Sequence, residues 1–350
     1  MSDEPRYRLR ATPEDFVVEE IPSFLPSGQG GHTFVRVEKR LRTTDDVARL
    51  LARCAGVPPR DVGYAGRKDR EAVATQWFSV PGLAPETALA LEAPGLRVLE
   101  AVPHPHKLRT GVLRGNRFRL RVTGVCADAL DRAPARLDAL VRTGMPNRFG
   151  AQRFGREGDN ALRGRELLAA PGRPVRDRRA ARFLLSALQA EVFNDVLARR
   201  APERLLNGDV AVVHASGGLF DVASAEAEQP RADAFEISAT GPLFGTRMRG
   251  AGGPAGDLER EVLALHGVSE AFAPPRGIRL RGTRRPLRVR PAEASCEVLG
   301  PGELALRFEL PAGSYASVLV ESLLGQPPRS TAPSIGVPSR EPARPRSPTT

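Results

Sequence analysis

Every break in the chain between residues 34 and 80 is spelled by residue type, and together these breaks lay out one folding unit. Phe34-Val35-Arg36-Val37 alternates as a half-buried strand does. Thr43 suits the N-cap of a helix running through Ala55, with Val47, Leu50, Leu51 and Cys54 on one face and Gly56 as its stop. Pro58 and Pro59 punctuate, a glycine-shaped loop follows over residues 63–69, and residues 76–80 read as the strand leaving it. The unit is strand, helix, loop and strand, with the loop displayed at one end.

That loop reads Gly63-Tyr64-Ala65-Gly66-Arg67-Lys68-Asp69-Arg70 and runs straight into Glu71-Ala72-Val73-Ala74-Thr75-Gln76-Trp77. One carboxylate, Asp69, stands among Arg67, Lys68 and Arg70 just after two glycines. A carboxylate so placed is exposed enough to meet a substrate, and adjacent cations favour its charged form. A chain builds a carboxylate nucleophile or base in this way, although such a loop taken alone is more often a solvated turn. It is not a phosphate loop, which needs glycine directly before the lysine and a hydroxyl directly after it. Here Lys68 follows Arg67 and precedes Asp69.

Charge points to a polyanionic partner. The 350 residues suffice for two domains and carry a net +11, nearly all of it arginine, since Lys39, Lys68 and Lys107 are the only lysines. The segment from Pro327 onward holds seven prolines and four arginines against one glutamate, so +8 remains on the rest. A basic body favours nucleic acid through counterion release, although arginine richness can also follow genome composition, as the abundant Ala, Gly and Pro do. Cys54, Cys126 and Cys296 are far apart and never form a CxxC pair, the pattern of reduced cysteines in a cytoplasmic protein. The first residues, Met1-Ser2-Asp3-Glu4-Pro5, lack the basic and apolar regions of an export signal. No run of 18 uncharged apolar residues occurs, so no membrane partner is expected.

Residues 117–125 form the clearest strand, with Phe118, Leu120 and Val122 on one face. Arg117, Arg119, Arg121 and Thr123 on the other suit a wet face or an RNA-contacting one equally. After Asp159 the texture changes. Residues 180–200 have helical spacing, 210–213 a short strand and 257–266 a second amphipathic helix, with loops expected over 241–245 and 250–256. A strand over 303–310 and a short helix from Ser314 follow, and the Pro/Arg-rich tail 327–350 reads as disordered.

Three further clusters read as site loops. Met145-Pro146-Asn147-Arg148-Phe149-Gly150-Ala151-Gln152-Arg153-Phe154-Gly155 mixes aromatic, amide and guanidinium groups as an unstacked base requires. Stacking on such a ring contributes roughly 1–3 kcal/mol per base, but the same turn can equally bury one of its two rings. His104-Pro105-His106-Lys107-Leu108-Arg109 has no Cys or carboxylate at ligand spacing, so it reads as a basic RNA-facing loop and no metal is expected. Leu310-Pro311-Ala312-Gly313-Ser314-Tyr315 sets a tyrosine at a strand-to-helix turn.

Taken in order, residues 13–20 (Pro-Glu-Asp-Phe-Val-Val-Glu-Glu), 63–76, 104–118, 146–155, Ser186-Ala187-Leu188-Gln189 with Phe193-Asn194, 241–245 and 310–315 resemble the TruD family of tRNA pseudouridine synthases. The likeness runs from about Tyr7 to Gly325 and leaves the Pro-rich tail outside. It implies an isomerase that converts a uridine of tRNA, typically U13 in the D arm, to pseudouridine without cofactor, nucleotide or metal. Asp69 falls on the catalytic aspartate. Phe16, Asn147 and Tyr315 fall on positions that shape the uridine pocket, and Phe149 on an aromatic expected to stack on the base. Arg10 stands where lysine is common and Tyr315 where phenylalanine is common; with Lys68, Arg10 completes the expected substrate-binding set.

The resemblance also implies the architecture: an α/β (α+β) catalytic domain with a mixed, largely antiparallel sheet, assembled from residues 1–173 and 289–326. A family-specific TRUD-type α/β domain is expected over residues 174–288. The alternatives are a synthase acting on another RNA position and a non-catalytic RNA-binding protein, for which Asp69 would be dispensable. A nucleobase deaminase would need a zinc signature that the sequence lacks.

Overall fold

A computed structural model describes residues 7–155, 157–170, 174–269 and 272–325. The Pro/Arg-rich tail and the first residues read above for a signal lie outside the described residues. In chain order the first part gives β1 (Phe16–Pro22), β2 (His32–Arg40), α1 (Thr44–Ala55), β3 (Gly63–Tyr64) and β4 (Val73–Pro81). It continues with α2 (Pro85–Leu89), β5 (Leu96–His104), β6 (Leu113–Thr123), α3 (Ala127–Thr143) and β7 (Met145–Pro146). Then come α4 (Asn160–Leu168), α5 (Arg178–Ala198), β8 (Val210–Val213), β9 (Leu219–Asp221), α6 (Ala225–Asp233), β10 (Ile237–Leu243) and α7 (Gly253–Leu265). The last elements are β11 (Thr283–Pro286), β12 (Arg288–Val289), β13 (Ala292–Gly300), β14 (Glu303–Pro311) and α8 (Ala316–Leu324).

The opening unit forms as its residues dictate. Thr43 caps α1 with a reciprocal bond pattern to Asp46, and Gly56 ends it in the left-handed conformation at φ 67°. Val47, Ala48, Leu51 and Ala52 then pack on Val35, Val37, Phe78 and Val80 of β2 and β4. The main sheet runs β13-β14-β6-β1-β4-β2-β5, with β3 added against β4. Only β1 and β4 pair in parallel; every other neighbour is antiparallel. The expected mixed, largely antiparallel sheet is therefore present, and it is assembled from both ends of the chain. A second sheet, β11-β10-β8-β9, is wholly antiparallel. A short β7–β12 pairing lies where the chain leaves and re-enters the part that holds that second sheet.

Helices α3 and α8 cover Phe118, Leu120 and Val122 of β6 and Leu304, Leu306 and Phe308 of β14. The opposite face of β6 is wet and largely charge-balanced: Arg117 pairs with Glu309 at 2.7 Å and with Glu19 at 3.3 Å, and Arg121 with Glu303 at 2.8 Å. Helices α5 and α7 share a separate apolar core with Leu168 of α4. Helix α4 thus packs with the elements expected after residue 174, although it precedes them in the chain.

Two expected loops are regular structure in part. Strand β10 continues through Gly241 and Pro242, which pair with Arg285 and Arg284. Gly241 marks close packing and not a turn, because a Cβ there would meet Leu287 and Phe193 at 3.0 Å. Pro242 is tolerated because the pairing with β8 has already ended at Ala239. Likewise α7 begins at Gly253, a turn before Asp257, with proline in its first turn, where the missing N–H is no loss.

Candidate active site

Asp69 sits at the end of the loop between β3 and β4, on the wall of a cleft of about 620 Å3. The loop is held close to its surroundings. At Gly63 a Cβ would lie 2.3 Å from the Leu108 carbonyl, and the Gly111 N–H donates to the Ala65 carbonyl at 2.7 Å. Strand β1 supplies Phe16 and Val18 to the cleft, the turn before α8 supplies Gly313, Ser314 and Tyr315, and the 3-10 turn at Ala151–Arg153 supplies Gln152 and Arg153. A space of this size, with Phe16, Phe118 and Tyr315 among its walls and charged and polar groups such as Arg10, Asp69, Asn116 and Gln152 beside them, accepts a planar polar ring of nucleobase dimensions.

The cations nearest Asp69 in sequence do not hold its carboxylate. Arg67 turns away to Asp45 at 2.9 Å, and Arg70 Nε donates to the Leu41 carbonyl at 3.4 Å. Lys68 is buried and pairs with Glu20 at 3.2 Å, while its Nζ also donates to the Asn116 side chain. Burial pushes the Glu20 carboxyl up and the Lys68 ammonium down, and each partner offsets part of the other's cost. Arg10, far upstream, makes the ion pair with Asp69 Oδ2. Gln152 Nε2 donates to the same oxygen at 3.2 Å, and the Glu71 N–H donates to Oδ1 at 3.1 Å. The Arg10 guanidinium lies 4.2 Å over the Phe16 ring, a cation–π contact that fixes its approach.

Of the residues expected at the site, Asp69, Arg10, Phe16, Lys68 and Tyr315 line this one cleft. Asn147 and Phe149 stand behind it. Asn147 is buried, donating to the Pro286 carbonyl at 2.9 Å and accepting from Arg285 at 2.6 Å and from Ser314 at 3.3 Å. Phe149 is 8% exposed and packs edge-on against Phe193 with ring centroids 5.6 Å apart. Its other neighbours include Tyr315, at 6.1 Å, and the guanidinium groups of Arg285, at 4.2 Å, and Arg153, at 5.7 Å. The ring expected to stack on a base thus lies buried against Tyr315 and Phe193, outside the cleft lining. Both Asn147 and Phe149 are held by side-chain partners, the latter through its own N–H and carbonyl to Asn194 at 2.8 and 3.0 Å.

Arg285, which the sequence did not single out, stands behind the cleft. It donates to the Asn147 carbonyl at 3.0 Å and to the Gly313 carbonyl at 2.8 Å, linking β11 to the turn that carries Tyr315. Burial pushes its guanidinium down to about 10. It lies in an arginine-dense stretch, so residue type gave no signal. The His104–His106 pair packs among aromatic rings. The His104 ring sits between Phe24, 5.2 Å away, and Phe34, 4.4 Å away, and its loop leads to Thr110 and Gly111 on the cleft wall.

Comparison with known proteins gives this geometry its context. The family profile described as tRNA pseudouridine synthase D (TruD) matches residues 3–170 and 176–323. The tRNA pseudouridine synthase D of Anaeromyxobacter sp. (strain Fw109-5) is 46% identical over 325 residues, covering 90% of this chain and 92% of that one. The Thermus thermophilus protein of that name is 42% identical over 324 residues, covering 90% and 88%. A crystal structure from Methanosarcina mazei assigned to TruD superposes with a TM-score of 0.70 at 23% identity, over 93% of this chain and 96% of that one, which speaks to the fold alone. The class is thereby defined as an isomerase of tRNA uridines, a pseudouridine synthase. Within that class, the chain belongs to the TruD family. Among the described residues no helix is long and apolar enough to cross a membrane.

Proposed function

We propose that this chain isomerises U13 in the D arm of tRNA to pseudouridine, with Asp69 as the nucleophile. One observation carries the reading: a single carboxylate, held by Arg10 and Gln152, faces a base-sized cleft walled by Phe16 and Tyr315. The reaction breaks the N1–C1′ bond, turns the base and rejoins it through C5; C5 gives up its proton and N1 ends as N–H. No electron is gained or lost and no group leaves, so a carboxylate and a shaped cleft suffice. The uridine leaves its stack to reach Asp69, and the Phe16 and Tyr315 rings replace the stacking it gives up. Arg10 aims the Asp69 oxygen, and the buried Lys68–Glu20 pair braces the loop from below. Asn147 and Phe149 shape the pocket indirectly, by supporting the turn that presents Tyr315.

The catalytic domain in this reading combines the main sheet with α3 and α8, and the inserted domain is the second sheet with its helices. Because α4 packs on α5, we draw the first boundary nearer residue 160 than the 174 expected from sequence. The three cysteines are free, which agrees with work in the cytoplasm on tRNA.

The position is tested with paired tRNA transcripts. A transcript carrying uridine at position 13 is expected to gain one pseudouridine there, and one carrying cytidine at 13 to gain none. Equal modification of both transcripts at another uridine would overturn the assignment of U13.

A further inference from the structure

The loop that carries Asp69 is gripped from the sheet side by three buried polar residues. Lys39, Thr44 and Gln76 are 0%, 2% and 0% exposed. Lys39 Nζ donates to the carbonyls of Asp69 at 2.5 Å and Arg42 at 2.7 Å. The Lys68 N–H donates to Thr44 Oγ1 at 2.9 Å, and the same hydroxyl donates to Gln76 Oε1 at 2.9 Å. Gln76 Nε2 in turn donates to the Gly66 carbonyl at 3.2 Å. Residues 66, 68 and 69 are therefore each fixed by main-chain bonds from β2, α1 and β4. After β2 the chain even turns through a left-handed Leu41 at φ 55°, a strained choice for leucine, on its way to the Arg42 carbonyl that Lys39 holds.

Lys39 is the costly member of this group. Its ammonium is fully buried and no carboxylate touches it within ion-pairing distance among the described residues, whereas an apolar side chain would fill the same space without that penalty. What the ammonium gains is control of two carbonyls, one of them that of Asp69 itself.

We propose that Lys39 is a positioning residue for Asp69, fixing its main chain so that the carboxylate points to Arg10 and Gln152, with Thr44 and Gln76 clamping the two approaches of the loop. This rests on the reading of Asp69 as the reacting group. The charged groups facing Lys39 are Asp69 and Lys68 on the loop and Asp46 on α1. Burial pushes its ammonium down to about 8, Lys68 adds to the fall, and the two aspartates oppose it. Above that pH the neutral amine grips its carbonyls less strongly, so turnover falls as pH rises through about 8. Folding stability responds in the opposite sense. The folded-state value lies below that of the unfolded chain, so the cost of the buried charge is present below pH 8 and fades as pH rises beyond it. Opposite trends in turnover and stability separate positioning from a merely structural role.

The test compares Lys39→Met, Thr44→Val and Thr44→Ser in full-length protein acting on unmodified tRNA. Lys39→Met is expected to lower kcat about 10- to 100-fold, the size of effect a misplacement near 1 Å produces, with KM nearly unchanged. The alkaline fall expected of wild type is expected to be missing from its pH profile. Thr44→Val is expected to lower kcat and Thr44→Ser, which keeps the hydroxyl, to restore it; this pair decides the matter if Lys39→Met fails to fold. A Lys39→Met enzyme with wild-type kcat, or Thr44→Val indistinguishable from Thr44→Ser, overturns the proposal. Hydrogen exchange of the 66–71 amides without tRNA is a second readout. Unchanged exchange in Lys39→Met overturns the anchoring, whereas faster exchange beside a fully active Asp69→Asn overturns the reading of Asp69 and leaves the anchoring standing.

Discussion

Asp69→Asn is expected to lower turnover by at least about a thousandfold, the scale on which removal of a covalent nucleophile is felt. The amide keeps the volume, and with its one oxygen turned to Arg10 and Gln152 it gives up only the bond from the Glu71 N–H, so the cleft keeps its shape. The Arg10–Asp69 pair is 17% and 26% exposed, and such solvent-touched pairs contribute little to folding, so the thermal transition is expected to stay close to that of wild type. Binding of tRNA is expected to persist within a few-fold, because the change removes a negative charge from a polyanion site and adds none. Single-turnover kinetics and a binding titration on the same preparation check both halves. Turnover within tenfold of wild type, in a folded protein that binds tRNA, would remove Asp69 from the chemistry.

Phe149→Ala is expected to act on folding first. Its ring is buried in the core that Phe193, Ala239 and Leu287 share, with Phe193 edge-on and the Arg285 guanidinium on its face. Truncating a buried phenylalanine leaves a cavity that its neighbours only partly fill, at about 3–5 kcal/mol. Denaturant unfolding measures this directly. The folded fraction is also expected to turn over more slowly, since Tyr315 loses its support. A near-wild-type unfolding midpoint with a large loss of turnover would instead return Phe149 to direct contact with the base.

The unit over residues 34–80 was legible because its boundaries are local chemistry: a Thr43 cap, a Gly56 stop, two prolines, a glycine loop. The strand 210–213 and the helix near 180–200 follow from periodicity for the same reason. The loops expected at 241–245 and 250–256 are regular over 241–243 and 253–256 because glycine there answers a tertiary demand, close packing at Gly241 and a helix start at Gly253, which sequence neighbours do not encode. At the candidate site, the loop chemistry pointed to Asp69, but the cations adjacent to it in sequence do not pair with its carboxylate. Adjacent cations in sequence point in different directions once the loop is bent. The actual partner, Arg10, arrives from a segment whose nearness is set by the main sheet. The contact of Gln152 with Asp69 and the role of Arg285 were not legible for that reason too, since each acts across elements brought together only by the fold.

The central claim is that this cleft exchanges the C5 hydrogen of a tRNA uridine as the base is turned. Incubation with unmodified tRNA carrying 5-tritiated uridine measures it in one step. The account predicts release of tritium to water up to one equivalent per tRNA, with the strand left intact. Tight tRNA binding without any release, across a full set of tRNAs, would contradict it.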